Sequence, residues 1–317
     1  MRVLLAGATG LLGSNLASVL CDSGHEVIGI RHERTPQVDR EGIRYIYADL
    51  RSLPECEIST RDIDIVFLCA AVKGGVSIAK GLTSPVLDTL KINANLLDAA
   101  ARQGVKRVVL ASSTTVYPAG SAPFVESAGF VDDPCSEYFG VGWTNRYIEK
   151  LAAYYGSTFD LDVNCARLAS LYGPFDDFSF ERAHVIPALI RRFINAEDVV
   201  NVWGDSGQRR DFIFAADAAT LMVKLALTHE RGITVNIGTG VTTSIGDLAR
   251  KIASATRRPD VRIVFDPAKP SGPSVRAIDT TLAAKVLGPF SVRSLDAGLS
   301  ETVTWFLENE GRGKNGF

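Results

Sequence analysis

The sequence is poor in the side chains that build metal centres and disulfide frameworks, with five cysteines and four histidines in 317 residues. No two of Cys21, Cys56, Cys69, Cys135 and Cys165 stand at C-x-x-C spacing, and His25, His32, His184 and His229 are equally dispersed. Neither a metal site nor a disulfide scaffold is therefore expected. An odd number of scattered thiols fits a reducing, cytoplasmic setting. No apolar run approaches the ~20 residues of a membrane helix. No block of like charge occurs either: 34 basic residues face 36 acidic ones, for a net charge of −2. That balance speaks against a general nucleic-acid or membrane-surface binder, while leaving room for a local basic pocket. The apolar N-terminus is broken by Gly7, Gly10 and Gly13 and runs straight into a helical pattern, so it is not read as a signal peptide.

What is present is an alternation of strand and helix signals. Short apolar runs at Arg2–Ala6, Glu26–Ile30, Arg44–Ala48, Ile63–Ala70, Arg107–Ala111 and Leu161–Arg167 predict strands. Helical spacing predicts helices over Leu11–Ser23, Ser84–Gln103 and Phe139–Tyr155. A β-α-β rhythm of this kind predicts an α/β fold, a Rossmann doubly wound parallel sheet covered by helices on both faces. After Gly173-Pro174 the pattern loosens. Strands at Val199–Trp203, Thr234–Ile237 and Arg262–Phe265 alternate with helices near His184–Asn195, Ala216–Thr228 and Ser244–Ala255. Residues 1–170 are read as a dinucleotide-binding domain and residues 171–317 as a smaller α/β substrate lobe, with a soft and interleaved boundary.

The turn Gly7-Ala8-Thr9-Gly10-Leu11-Leu12-Gly13 follows the first strand and opens the first helix. Glycines there permit a tight turn and let the backbone approach a pyrophosphate seated on the helix N-terminus. A glycine-rich loop alone is weak evidence. Its place inside a β-α-β unit is the context that gives it meaning. The second strand runs into Arg31-His32-Glu33-Arg34, where an acid would hold the adenosine ribose of NAD. A base at Arg31 suits a 2′-phosphate, which favours NADP over NAD; a solvated charged loop is the plainer alternative. Asp49 and Leu50, after the third strand, stand where the adenine edge is met, although Asp49 equally suits a turn cap.

The G-x-x-G-x-x-G spacing resembles that of the extended short-chain dehydrogenase/reductase family, which includes nucleotide-sugar epimerases and dehydratases. Further family-like stretches are Cys69-Ala70-Ala71-Val72-Lys73-Gly74-Gly75, Ser112 to Pro118, Leu171-Tyr172-Gly173-Pro174, Ala183 to Leu189, Val202-Trp203-Gly204 with Arg210-Asp211-Phe212, and Asp266 to Pro273. They are most similar to the epimerase-reductase branch. The resemblance implies a nucleotide-sugar substrate, Ala70 and Ala71 beside the coenzyme, Ser113 at the catalytic serine position, and Lys73 and Thr115 near the sugar. Arg191, Arg192, Arg210, Lys269 and Arg276 are candidates for the substrate diphosphate, because guanidinium forks match phosphate oxygens; solvated surface charge is their alternative. Trp203 reads as core rather than as a ligand platform.

The family's working pair is a Tyr and a Lys in Y-x-x-x-K, four residues apart on one helix face. Aligning on Gly142-Trp143 and Glu149 puts Val141 at the Tyr position and Asn145 at the Lys position, and no Y-x-x-x-K occurs anywhere in the chain. Valine has no proton to exchange; asparagine can bond a ribose but brings no charge. Tyr138, one turn upstream, is the candidate replacement phenol, against a packing or capping role. His184 matches an acid/base histidine of the epimerase-reductases, against simple placement at a helix start.

Three functions remain open on these grounds: an NAD(P)-dependent epimerase or dehydratase with an altered catalytic set, a non-catalytic binding member of the same family, or a reductase of another small carbonyl compound. The resemblance also implies a homodimer, formed through the helices Ser84–Gln103 and Phe139–Tyr155.

Overall fold

The computed structural model describes residues 1–72, 85–121, 123–180, 182–269 and 272–309. Its strands are β1 (Arg2–Ala6), β2 (Glu26–Arg31), β3 (Ile43–Tyr47), β4 (Ile65–Leu68), β5 (Arg107–Ser113), β6 (Asp162–Leu168) and β7 (Ser170–Tyr172). They continue with β8 (Val199–Trp203), β9 (Arg209–Phe214), β10 (Thr234–Ile237), β11 (Thr242–Ser244), β12 (Arg262–Asp266) and β13 (Val275–Arg276). The helices are α1 (Leu11–Asp22), α2 (Leu53–Ser59), α3 (Pro85–Arg102), α4 (Phe139–Thr158) and α5 (Val185–Asn195). Four more follow: α6 (Ala215–Leu227), α7 (Ile245–Ala255), α8 (Thr281–Leu287) and α9 (Leu295–Asn309).

Strands such as Ile65–Leu68, buried at every position, have no polar side to offer water and must be covered on both faces. They form a seven-stranded sheet in the order β10-β6-β5-β4-β1-β2-β3, with every pairing parallel. On one face α1 packs beside α6; on the other, α3 lies between α2 and α4. Leu12, Leu16 and Leu20 of α1 join Leu221 and Leu225 of α6 in one core. Leu96, Ala99 and Ala100 of α3 join Ile148 and Ala152 of α4 in the other. This is the doubly wound architecture the sequence pattern predicts.

Thr234–Ile237, placed by sequence among the elements after Gly173-Pro174, pairs with β6 and forms one of the sheet's two outer strands. A third core, built from Tyr172, Phe178, Ile190, Phe193, Phe212, Leu248 and Phe306, lies under the remaining C-terminal elements. There β9 takes β7, β11 and β13 as neighbours, and β8 pairs with β12. Strand order reverses at β1, which has β2 on one side and β4 on the other. In such sheets the crevice beyond the strands' carboxyl ends at this point is where ligands bind.

Candidate functional site

At the reversal point β1 ends in the glycine turn. Gly7 adopts φ +83°, and a Cβ on it would lie 2.7 Å from the Cys69 carbonyl oxygen at the end of β4. Gly10 bonds back to the Gly7 carbonyl at 3.1 Å and begins α1. A Cβ on Gly13 would sit 2.0 Å from the same Gly7 oxygen, so only glycine lets the helix start this close to the strand. Thr9 is half-buried and Leu11 and Leu12 are buried, which fixes the first turn of α1. The first amides of a helix lack partners inside it and carry its positive end, a ready seat for a diphosphate. Ala70 and Ala71 follow β4 across the crevice. Asn93 of α3 donates to the Ala70 carbonyl at 3.4 Å and Thr89 accepts from Val72 N at 3.0 Å. Lys73, with Gly74 and Gly75, lies outside the described residues, as does Ser84 at the predicted start of α3.

At the adenosine end, Arg31 closes β2 and is exposed, in register with Tyr47 of β3. Asp49 gives its carboxylate to Arg51, with the closest contact at 2.8 Å. This bond holds the Asp49 carboxyl down at about 2. Its backbone amide donates to Glu55 at 2.6 Å, and Leu50 is buried beside it.

The strand β5 delivers Ser113 to the crevice. The Ser113 hydroxyl accepts from Thr115 N at 3.2 Å, capping a single turn of 3-10 helix over Thr114–Val116. Thr115 Oγ1 in turn accepts from Asn145 Nδ2 at 3.1 Å. A Cβ on Gly142 would lie 2.7 Å from the Thr115 carbonyl oxygen, so α4 is pressed against this turn. Asn145, Ala70, Ala71, Asn93 and Ser112 line one small cavity of about 30 Å³, large enough to hold ordered water. Val141 is 45% exposed.

Tyr138 immediately precedes α4. Its ring carries the Arg276 guanidinium at 4.7 Å from the centroid. Its hydroxyl points toward Gly272, where an added Cβ would be 2.8 Å from Tyr138 Oη and 3.0 Å from Arg210 Nη2. Arg276 is only 6% exposed. One of its nitrogens donates to the carbonyls of Thr114 (3.0 Å) and Tyr117 (3.2 Å); the other, Nη2, is buried with no hydrogen-bond partner. Burial presses the Arg276 guanidinium's proton affinity below its ordinary value. Ser113, Thr115, Asn145, Tyr138, Arg210 and Arg276 are thus brought into one connected set.

Other predicted positions stand elsewhere. His184 is exposed at the start of α5. Arg191 is turned into its own lobe, donating to the Phe178 carbonyl at 2.8 Å with its guanidinium over Phe180. Trp203 is not core: it is 52% exposed, with Arg192 at 5.4 Å and Lys269 at 6.0 Å from its ring. The sequence places it at the end of an alternating strand whose inward positions are Val200 and Val202, a parity that points Trp203 outward. A flat aromatic face between two cations suits a nucleotide base and its phosphates.

Sequence reasoning also missed a buried network. Glu149 on α4 pairs with Arg167 on β6 at 2.7 Å, with side chains 5% and 3% exposed. Glu149 accepts from Ser112, the neighbour of Ser113, and Arg167 donates to Tyr117 Oη at 3.1 Å. Tyr117 donates to Asn236 on β10 at 2.6 Å, and burial pushes its phenol up to about 12. The network ties α4 to the ends of β5, β6 and β10. Among the described residues no group of three metal-capable side chains lies together and no helix is long and apolar enough to cross a membrane.

Residues 3–238 match the profile described as "NAD dependent epimerase/dehydratase family". The chain is 31% identical to GDP-L-fucose synthase of Escherichia coli (strain K12), covering 98% of both. It is 30% identical to dTDP-4-dehydro-6-deoxy-D-allose reductase of Streptomyces bikiniensis, covering 96% of this chain and 95% of the relative. Among solved structures it resembles MoeE5 in complex with UDP-glucose and NAD, at 29% identity and TM-score 0.82, over 97% of this chain and 99% of that one. The glycine-lined crevice, the family-wide match and the full-length similarity agree: the chain belongs to the NAD-dependent epimerase/dehydratase family.

Proposed function

We propose that this protein is an NAD(P)-dependent enzyme of the epimerase/dehydratase type, acting on a nucleotide-activated sugar with an atypical catalytic set. The observation that carries this reading is Arg276. A guanidinium edge that is buried and unpaired costs free energy until an anion meets it. Arg210 and the Tyr138 hydroxyl converge beside it. Diphosphate oxygens would satisfy both arginines, and the face of Trp203 between Arg192 and Lys269 would take the base. The two lobes, interleaved because α6 and β10 return to the large sheet after the boundary near residue 170, would then hold coenzyme and sugar nucleotide on opposite sides of Ser113.

A bound nicotinamide would supply hydride acceptance and return. The turn at Gly7–Gly13 would hold its diphosphate, Ala70 and Ala71 would flank it, and Asn145 would reach the ribose while kept in place by Thr115. Arg31 favours NADP, and Asp49 and Leu50 border the adenine. Ser113 would hold a sugar hydroxyl, Tyr138 or His184 would move the proton, and Lys73 would bind the sugar. MoeE5, with UDP-glucose and NAD bound, supports the pairing of ligands.

The test is incubation of the purified chain with GDP- and UDP-sugars and coenzyme in deuterium oxide, followed by NMR. Deuterium is expected to enter the sugar ring, and Ser113→Ala and Tyr138→Phe should each slow it. Sugar binding with no exchange would favour the second reading, a non-catalytic binding member, for which the missing Y-x-x-x-K speaks.

A homodimer is part of the proposal. Phe139, Trp143 and Tyr147 lie one turn apart on α4, and all three are exposed. Such a stripe marks an association face, and Val86 and Leu87 on α3 are exposed as well. Light scattering should give twice the chain mass, and Tyr147→Glu should reduce it; a monomeric wild type would refute the dimer. All five cysteines are free, in keeping with a cytoplasmic location.

A further inference from the structure

One carboxylate contacts the coenzyme side of the crevice from the C-terminal half of the chain. Asp177 lies just past Gly173-Pro174, and its side chain is 8% exposed. Its Oδ2 pairs with Arg34 at 3.2 Å and with Arg182 at 3.1 Å, while its Oδ1 accepts from Ser179 N at 3.0 Å. Arg34 stands three residues past the end of β2, the strand whose carboxyl end reads the adenosine ribose in this architecture. The segment carrying Asp177 is laid against α1 itself: Asn15 Nδ2 donates to the Pro174 carbonyl at 3.3 Å as well as to Leu11 O at 2.8 Å. Arg34 is therefore held, at the ribose end of the crevice, by an acid from the opposite lobe.

We propose that Asp177 is a specificity residue for the coenzyme, competing with a 2′-phosphate for Arg34. The inference rests on the reading that the crevice takes a dinucleotide. A 2′-phosphate carries up to two negative charges and meets two penalties here. It must draw Arg34 from an existing partner, and it must approach the Asp177 carboxylate. A ribose with a free 2′-hydroxyl meets neither. Although burial opposes ionisation, hydrogen bonds from Ser179 and the neighbouring arginines hold the Asp177 carboxyl down at about 2, so this competitor is charged at every pH at which the protein would work. Besides Arg31, other ionisable side chains border the same end: His32, 3.8 Å from Glu33 and 4.0 Å from Asp49, and the Asp49–Arg51 pair. The preference of Arg31 for a 2′-phosphate is thus offset within the same fold, and the balance between NADP and NAD is set by a residue some 140 positions away in the sequence.

The experiment is calorimetric titration of the full chain with NADP, NAD and the fragment adenosine 2′,5′-bisphosphate. Asp177→Asn keeps the size and an oxygen for Ser179 N but removes the charge. It should tighten NADP and the bisphosphate about fivefold, the range of a partly exposed ion pair, and leave NAD unchanged. Arg34→Met should weaken NADP by a similar factor, and Asp177→Asn added to Arg34→Met should restore much less than it gains alone. If Asp177→Asn shifts NADP and NAD equally, or shifts neither, the inference falls and the dinucleotide reading stands. If wild type binds neither dinucleotide, both fall together.

Discussion

Two helix starts face the same crevice, and they have been treated differently. At α1, Gly7 and Gly13 stand where a Cβ would strike backbone atoms at 2.7 and 2.0 Å. At α4, Gly142 is constrained in the same way, 2.7 Å from the Thr115 carbonyl, yet the residues that the family resemblance puts at the working positions are Val141 and Asn145. Binding a diphosphate through backbone amides admits no substitute, because the contact is the main chain itself. Proton transfer needs only a group of suitable chemistry in reach, and that group can move. The close packing of α4 is present in a chain that has no Y-x-x-x-K. This pattern fits relocation of the acid/base to Tyr138, and it equally frames the non-catalytic alternative.

The contrast can be broken in several ways. The largest expected effect lies beneath α4. Glu149→Ala leaves Arg167 charged and buried without its partner, which should cost about 3–5 kcal/mol of stability by chemical denaturation. A loss below 1 kcal/mol would mean the pair does not hold the α4 frame, a threshold set against the ordinary cost of breaking such a pair. Next is Gly13→Ala, where overpacking of about 1–3 kcal/mol should weaken coenzyme binding by tenfold or more. Calorimetry giving unchanged affinity would show that the turn does not grip the ligand. Arg276→Met should lower affinity for a GDP- or UDP-sugar by about tenfold, the worth of one charge-assisted bond; equal affinity would remove Arg276 from the site. Smaller again is the restoring double variant Val141→Tyr with Asn145→Lys. Val141 is exposed and Asn145 half-buried, so stability should change by less than about 1 kcal/mol, and thermal melts showing collapse would deny that the frame is preserved.

Much of this arrangement was legible in the sequence, for identifiable reasons. The turn at Gly7–Gly13 and strands such as Arg2–Ala6 were readable because they are local: a short apolar run, then glycines at fixed spacing. β9 was not legible, because Arg209, Arg210 and Asp211 put three charges where a strand would show an apolar run. Asp211 is buried there only because Thr239 and Gly240 donate to it, partners almost thirty residues on. Burial still raises its carboxyl above the usual range. Thr234–Ile237 was readable as a strand but not as the seventh strand of the large sheet, since pairing with β6 leaves no mark in four residues. The set formed by Tyr138, Arg210, Gly272 and Arg276 was only partly legible: its members could be named singly, but the stacking of Arg276 on Tyr138 joins positions 138 apart.

The smallest effect is on pH. Asp177 has its carboxyl lowered to about 2 from an ordinary value of 3.8. A depressed acid stabilises the fold above its unfolded value and loses that contribution as pH falls through the folded one. Between about pH 4 and 2 the stability of wild type should therefore fall more steeply than that of Asp177→Asn. Parallel curves from acid titration by circular dichroism would show that the charge of Asp177, held by Ser179, Arg182 and Arg34, contributes nothing.

The most direct measurement is a crystal structure of the protein soaked with NADP and UDP-glucose. The dinucleotide's diphosphate should lie on the amides of Leu11 and Leu12, with the sugar nucleotide's phosphates between Arg210 and Arg276 and a ring carbon facing Ser113. Density for either ligand outside this crevice, or a crevice closed by side chains at saturating ligand, would contradict the assignment.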